Sequence, residues 1–317
     1  RQDPLVQCLA EHWTWTYGLD DVLWIRPYLG RPDCRTESAD SVGWHGPGND
    51  EDHVMEIQQN NTQNFINLTN IPFTVDDGIA ARARIGLVVL ATDHSVEHEF
   101  KLIVDIPGVA VYQSRIPNSP TITPESLRAM EPHITDRTDV ILPGVPLDVV
   151  AYGCTSASMI IGEERVFELI HAARPEAKAT TPITAAFAAF QATGCRRIGV
   201  LTPYSDEVNQ FIRSYIESKG FEVPVFGSFN QDNDNTVARI SADSMRDAAL
   251  QIGNHNSVDG VFVSCTSLRL AHCVADIEAA LGKPVTSSNH ALIWHSLRLA
   301  GINETIDGFG ELFRLPA

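Results

Sequence analysis

The sequence predicts an α/β protein: two pseudo-symmetric, doubly wound parallel-sheet domains with an active site in the cleft between them. Two observations carry the prediction. From Arg84 onward, short β-branched runs alternate with helical stretches. Two blocks of sequence also recur at nearly equal separation in the two halves of the chain.

The alternation is read first. Strands are expected at Ile85–Leu90, Val149–Tyr152, Ile198–Leu201, Val223–Phe226, Val258–Val263 and Pro284–Thr286. Each is a short apolar run bounded by turn residues, the pattern of a strand covered on both faces. Helices are expected at Val96–Val104, Ser156–Ala172, Thr184–Ala192, Asp206–Lys219, Val237–Ile252, Leu268–Leu281 and Leu292–Ala300. Strands separated by helices of this length imply βα units and parallel pairing.

The repeat gives the domain plan. Arg84-Ile85-Gly86-Leu87-Val88 resembles Arg197-Ile198-Gly199-Val200-Leu201. The run from Asp148 through Tyr152-Gly153-Cys154-Thr155-Ser156 resembles the run from Asp259 through Val263-Ser264-Cys265-Thr266-Ser267. Ile85 precedes Cys154 by 69 residues and Ile198 precedes Cys265 by 67. A duplication accounts for this most simply. It divides the chain into an extension at 1–77, one α/β domain at 78–194, a second at 195–289, and a helix and tail at 290–317 that return to the first domain. The extension is rich in tryptophan (Trp13, Trp15, Trp24, Trp44) and lacks periodicity. It reads as a packing or oligomer-contact arm, which leaves room for a homo-oligomer.

Composition narrows the function. The chain has 317 residues, 44% of them hydrophobic and 20% charged, as in an ordinary globular protein. Its net charge of −17 repels phosphate backbones and anionic lipid, so neither nucleic acid nor membrane is an expected partner. No apolar run approaches the ~20 residues of a membrane span. The six cysteines (Cys8, Cys34, Cys154, Cys195, Cys265, Cys273) form no CxxC pair and no zinc-ligand spacing. They read as reduced thiols in a cytoplasmic protein, and no metal site is expected.

Cys154 and Cys265 stand apart because the repeat pairs them. Each follows a strand and precedes an expected helix. Ligands of open α/β sheets bind at that end of the strands. A thiol at a helix N-terminus is expected to have a lowered pKa, and the neighbouring amides can take a carboxylate or an oxyanion. Thr155 and Thr266 follow the thiols and add hydroxyl donors. Two thiols facing one carbon support proton abstraction on one face with return on the other. They equally support thiolate addition, bond rotation and elimination. Neither route needs a cofactor.

The first strand of each half also ends in polar residues. Asp93 and Asp206 lie at matched positions. Asp206 reads as a helix cap, whereas Asp93 sits in a dense polar cluster and is a site candidate. Tyr204 is a candidate hydroxyl donor to substrate, and Asn235, in the acidic stretch 230–235, a candidate substrate ligand. His94, His98, His272, His290 and His295 read as surface or helix-face residues.

These motifs resemble the aspartate/glutamate racemase superfamily, in the branch that holds maleate cis–trans isomerase, arylmalonate decarboxylase and the ectoine-utilisation protein EutA. The likeness covers roughly residues 82–302. It rests on Ala91-Thr92-Asp93-His94-Ser95-Val96-Glu97-His98-Glu99, Ala151-Tyr152-Gly153-Cys154-Thr155-Ser156, Leu201-Thr202-Pro203-Tyr204 and Val263-Ser264-Cys265-Thr266. The phrases around Asp93 and Cys154 are most similar to EutA. The resemblance implies that Cys154 is the nucleophilic thiol of the isomerases, Cys265 the thiol that gives or takes a proton, and Tyr204 a ligand of the substrate carboxylate. Asp93 stands where maleate isomerase has an asparagine, which disfavours a dianionic substrate and points to an amino or acylamino acid. Thr266 replaces the histidine of glutamate racemases. Arylmalonate decarboxylase keeps only the second thiol, so Cys154 argues against decarboxylation.

The expectation is therefore a cofactor-independent isomerase or racemase acting on a small carboxylate or amino-acid derivative, EutA-like in its most specific form. Its site is expected to comprise Cys154 and Cys265 with Asp93, Thr155, Tyr204, Asn235 and Thr266. The rivals are a maleate isomerase, an arylmalonate-type decarboxylase and a non-catalytic carboxylate-binding protein.

Overall fold

The strand that opens each half is an unbroken apolar run because helices cover both its faces. β1 (Ala83–Leu90) is buried along almost its whole length, and β5 (Arg197–Thr202) from Ile198 onward. The structure, a computed structural model, describes residues 67–316. The tryptophan-rich opening, Cys8 and Cys34 lie outside the described residues.

Two four-stranded parallel sheets follow. In the first, β1 lies between β2 (Val109–Ile116) and β3 (Val149–Gly153), with β4 (Lys178–Thr180) beyond β3. In the second, β5 lies between β6 (Glu222–Ser228) and β7 (Gly260–Val263), with β8 (Val285–Ser287) beyond β7. The strand order is the same in both. So is the register: Ile85 pairs with Val149, and Ile198 pairs with Gly260, the equivalent residues of the repeat. In this order the chain winds one way from β1 to β2 and the other way towards β3. The crevice therefore opens at the carboxyl ends of β1 and β3, and of β5 and β7.

The helices are α1 (Val96–Ile103), α2 (Pro124–Arg128), α3 (Ile134–Asp139), α4 (Thr155–Ile161), α5 (Glu163–Ala173), α6 (Pro182–Thr193), α7 (Asp206–Ser218), α8 (Asp234–Val237), α9 (Ala242–Gly253), α10 (Val274–Leu281) and α11 (Ser288–Leu299). Alternate residues of β1 face two apolar clusters. Ile85, Leu87 and Val89 join a large cluster shared with the second half, and Val88 and Leu90 a smaller one under α2 and α3. Helix α11 packs against α6, β3, β4 and α1 of the first half and buries Trp294. Helices α6 and α11 follow the fourth strand of their respective sheets, so equivalent elements meet across the pseudo-two-fold.

Several local expectations are corrected. Two strands, β2 and β4, were not foreseen. β2 is half-buried, and its polar residues interrupt the apolar run. β4 is only Lys-Ala-Thr. The single helix expected over 156–172 is two helices, parted at Gly162, whose φ of 98° lies where a side chain is strained. The helix expected at 268–281 begins only at Val274, after a 3-10 turn at Ala271–Cys273. The helix expected at 237–252 starts at Ala242, because Ser241 caps it by accepting the Ser244 N–H at 3.2 Å.

Candidate active site

Cys154 leaves β3 with extended backbone and is the N-cap of α4. Gly153 before it runs close to β1: a Cβ there would stand 3.0 Å from the Val88 carbonyl oxygen. The strand can therefore deliver the cysteine backbone deep into the crevice. The sulfur lies 3.9 Å from the Ser156 hydroxyl and faces the Ala157 N–H.

Cys265 follows β7 and Ser264, but no helix starts behind it. Its loop runs irregularly to the 3-10 turn at Ala271. The Ser267 N–H donates to its sulfur at 3.4 Å, and the Tyr204 hydroxyl faces it. The expectation that both thiols sit at helix N-termini thus holds for Cys154 alone.

The expected lowering of the thiol pKa values is also corrected. Both cysteines are 3% exposed, and burial pushes each up to about 12. The nearby charge of Asp234 acts in the same direction. The amides and hydroxyls that face the sulfurs oppose the rise without cancelling it. Burial therefore favours the neutral form of both thiols.

Both thiols line one cleft. Ser156, Tyr204, Thr266, Ser267 and Asp234 complete its reactive end. Its other wall comes from the first half: apolar Leu90, Ile122, Leu127 and Met130 beside neutral Asn118, Ser119, Thr121 and Ser126. No lysine or arginine lines the cleft among the described residues.

Tyr204, just past β5, is fixed through its backbone. Asn209 Nδ2 donates to its carbonyl at 2.8 Å, and its N–H donates to Thr202 Oγ1 at 3.3 Å. Thr266 lines the cleft, and its carbonyl accepts Asn289 Nδ2 at 2.8 Å. Thr155 is buried, but its hydroxyl donates to Ser288 Oγ at 2.7 Å on α11 and does not line the cleft.

The two carboxylate regions differ from expectation. Asp93 lies behind the cleft wall. Its Oδ1 accepts the N–H groups of Ser95 and Val96 at 2.7 and 2.8 Å, an N-terminal cap for α1, while Oδ2 is buried without a hydrogen-bond partner. Burial raises its pKa to about 6, and Asp234 adds to the rise. Asn235 is exposed and meets His94 Nε2 at 3.0 Å, outside the cleft. Its neighbour Asp234 points inward instead. Asp234 accepts the Thr92 hydroxyl at 2.6 Å on Oδ2 and the Ser267 hydroxyl at 2.9 Å on Oδ1. Its N–H donates to the Pro120 carbonyl at 2.9 Å, a link between the two halves.

Sequence reasoning missed Asp234, Ser156 and Ser267. The serines carried a signal, since Cys-Thr-Ser recurs in both halves. Asp234 carried a weaker one: it shares the inward face of its short helix with Val237.

The family model for arylmalonate decarboxylase matches residues 123–313. Maleate isomerase of Pseudomonas putida KT2440 is 25% identical over 242 residues, covering 72% of this chain and 96% of that protein. Arylmalonate decarboxylase of Bordetella bronchiseptica is 29% identical over 136 residues, covering 42% of this chain and 57% of that protein. A mutant of Nocardia farcinica maleate cis–trans isomerase, solved with a covalently bound succinylcysteine intermediate, superposes with a TM-score of 0.67. It is 24% identical, and the match covers 73% of this chain and 98% of that one.

Proposed function

This chain belongs to the arylmalonate decarboxylase family, and on that footing we propose that it is a cofactor-independent two-cysteine isomerase or racemase of a small carboxylate, most specifically an amino-acid derivative. One observation carries the reading. Cys154 and Cys265, delivered by equivalent strand ends, line the same cleft together with Tyr204.

In the racemase form, one thiolate takes the α-proton and the opposite thiol returns a proton to the other face. The hydrogen-bond donors around each sulfur lower the cost of that thiolate: Ala157 N–H and Ser156 at Cys154, Tyr204 and Ser267 N–H at Cys265. In the isomerase form, the Cys154 thiolate adds to one carbon of a carbon–carbon double bond while the Cys265 thiol protonates the other, the new single bond rotates, and the Cys265 thiolate takes a proton back as the Cys154 thiolate leaves. The succinylcysteine of the Nocardia farcinica relative is an adduct of that kind in that protein.

Charge supports the amino-acid version. Asp234 lines the cleft, Asp93 lies behind it, and no cation lines it among the described residues. A second substrate carboxylate would meet repulsion there, whereas an α-ammonium group would meet a partner. This disfavours maleate as the substrate. The phrases around Asp93 and Cys154 support an EutA-like role in ectoine breakdown, in the reducing cytoplasm. A second reading has its own observation: the apolar wall of Leu90, Ile122, Leu127 and Met130 suits the bulky substituent of a malonate, which Cys265 alone would reprotonate after loss of carbon dioxide.

Incubation of candidate acids in deuterated water with the wild type, Cys154→Ala and Cys265→Ala separates these readings. Label at Cα with loss of optical activity, abolished in both variants, is the expected result. Undiminished turnover by Cys154→Ala would overturn the two-thiol reading and favour decarboxylation.

A further inference from the structure

Glu99 is a carboxylate in a place the fold reserves for a hydrophobe. It lies on the inward face of α1 with Val96, Phe100 and Ile103, and is 1% exposed. The offset that aligns Ile85 with Ile198, and Asp93 with Asp206, carries Glu99 onto Ile212 of α7. Ile212 is a fully buried core residue. One half of the duplication therefore keeps an apolar contact where the other has a buried acid.

The loops that carry the two thiols differ in a matching way. Cys154 is held by helix α4, whose regular backbone sets the positions of the amides around the sulfur, and α7 packs against that helix. Cys265 has no helix behind it. Its loop is held by side chains from outside the second sheet. Glu99 accepts the Ala271 N–H at 2.7 Å on one oxygen and Asn289 Nδ2 at 2.8 Å on the other. Asn289, on α11, passes the constraint on by donating to the Thr266 carbonyl at 2.8 Å. Ser95, one turn before Glu99, donates its hydroxyl to the Ser267 carbonyl at 2.7 Å. Thr266 and Ser267 are the residues next to Cys265, and Ser267 supplies the N–H at its sulfur.

We propose that Glu99 is a positioning residue: through Ala271 and Asn289 it holds the loop of Cys265 in place of the missing helix. A carboxylate suits this task because both of its oxygens accept, and those bonds oppose the burial that pushes its pKa up to about 7. A buried carboxylate is costly unless it is bonded on both sides, as here. The importance of this positioning for turnover rests on the two-thiol reading above, but the positioning itself does not.

The test reads the thiols directly. Wild type, Glu99→Gln and Glu99→Leu are treated with iodoacetamide, and alkylation at each cysteine is followed by mass spectrometry, with circular dichroism and thermal melting as checks on folding. The leucine variant copies the apolar choice of the other half. The glutamine variant keeps an acceptor for Ala271 but sets one amide NH₂ against that of Asn289. Freeing the loop exposes the sulfur and eases its ionisation. Cys265 is expected to react about tenfold faster in Glu99→Leu, roughly the loss of one charge-assisted hydrogen bond. The acceleration is expected to be smaller in Glu99→Gln, with Cys154 unchanged in both. An unchanged ratio of the two rates in a folded variant, or equal acceleration at both thiols, overturns the proposal. Should the leucine variant not fold, the glutamine variant decides. Failure of the functional reading would appear instead as a wild type inert towards every candidate acid, with the alkylation ratio still responding to Glu99.

Discussion

Asp234 accepts the hydroxyl of Ser267 at 2.9 Å, so a carboxylate from the segment after β6 is tied to the residue whose amide faces the Cys265 sulfur. That carboxylate raises both thiols. Replacing Asp234 by Asn keeps an oxygen for Ser267 and removes the charge. The thiol pKa values of Cys154 and Cys265 are expected to fall together. Alkylation of both at fixed pH should quicken by roughly threefold to tenfold. Rates that stay at the wild-type value would remove Asp234 from the electrostatics of the cleft. Where the substrate carries an ammonium group, the same variant should show a raised KM.

Tyr204→Phe is expected to act in the opposite sense, and on one thiol. The phenol faces Cys265 and lowers the thiol pKa against the effect of burial. Without it the Cys265 thiolate keeps only the Ser267 N–H. Site-resolved alkylation should slow at Cys265 by roughly tenfold, the size of one hydrogen bond to a charged group, with little change at Cys154. Equal slowing at both cysteines would mean that the ring acts by filling space.

The thiol pair was legible because duplication wrote it twice, and the fold because β1 and β5 are long apolar runs. Other features had no such signature. Asp234 and Asn235 are both polar turn residues, and only the phase of a four-residue helix turns the first inward and the second outward. Residues 268–273 read as the first turns of a helix over 268–281, yet Leu268 and Leu270 are buried by tertiary packing in a loop that leads to a 3-10 turn. Lowered thiol pKa values were inferred from helix dipoles. Burial proved the larger effect, and only the folded chain shows how much water the cleft excludes.

Asp93 gives a prediction in stability. Its carboxyl goes from 3.8 to about 6 on folding, so the folded state binds that proton more tightly than the unfolded state. The contribution is absent below pH 3.8, becomes increasingly destabilising as pH rises to about 6, and is constant above. A shift of this size is worth roughly 3 kcal/mol. Urea unfolding of wild type and Asp93→Asn across that window should show the variant gaining on the wild type as pH rises. Parallel pH profiles would show that burial does not penalise the Asp93 charge.

Gly162 sets where α4 ends, and with it the length of the helix behind Cys154. Its φ is 98°, and a Cβ added there would meet nothing within 4 Å. Gly162→Ala therefore tests backbone conformation alone, free of any clash. An alanine forced to positive φ costs about 1 kcal/mol or more. The variant can avoid that cost only by continuing the helix through residue 162, as the sequence pattern itself suggests. That would re-aim α4 and move the Ala157 N–H away from the Cys154 sulfur. The expected outcome is a lower melting temperature with Cys154 alkylation unchanged, because α2 and α6 pack against α4 and hold it in place. A variant of unchanged stability with altered Cys154 reactivity would show instead that the break at Gly162 exists to aim the helix at the thiol.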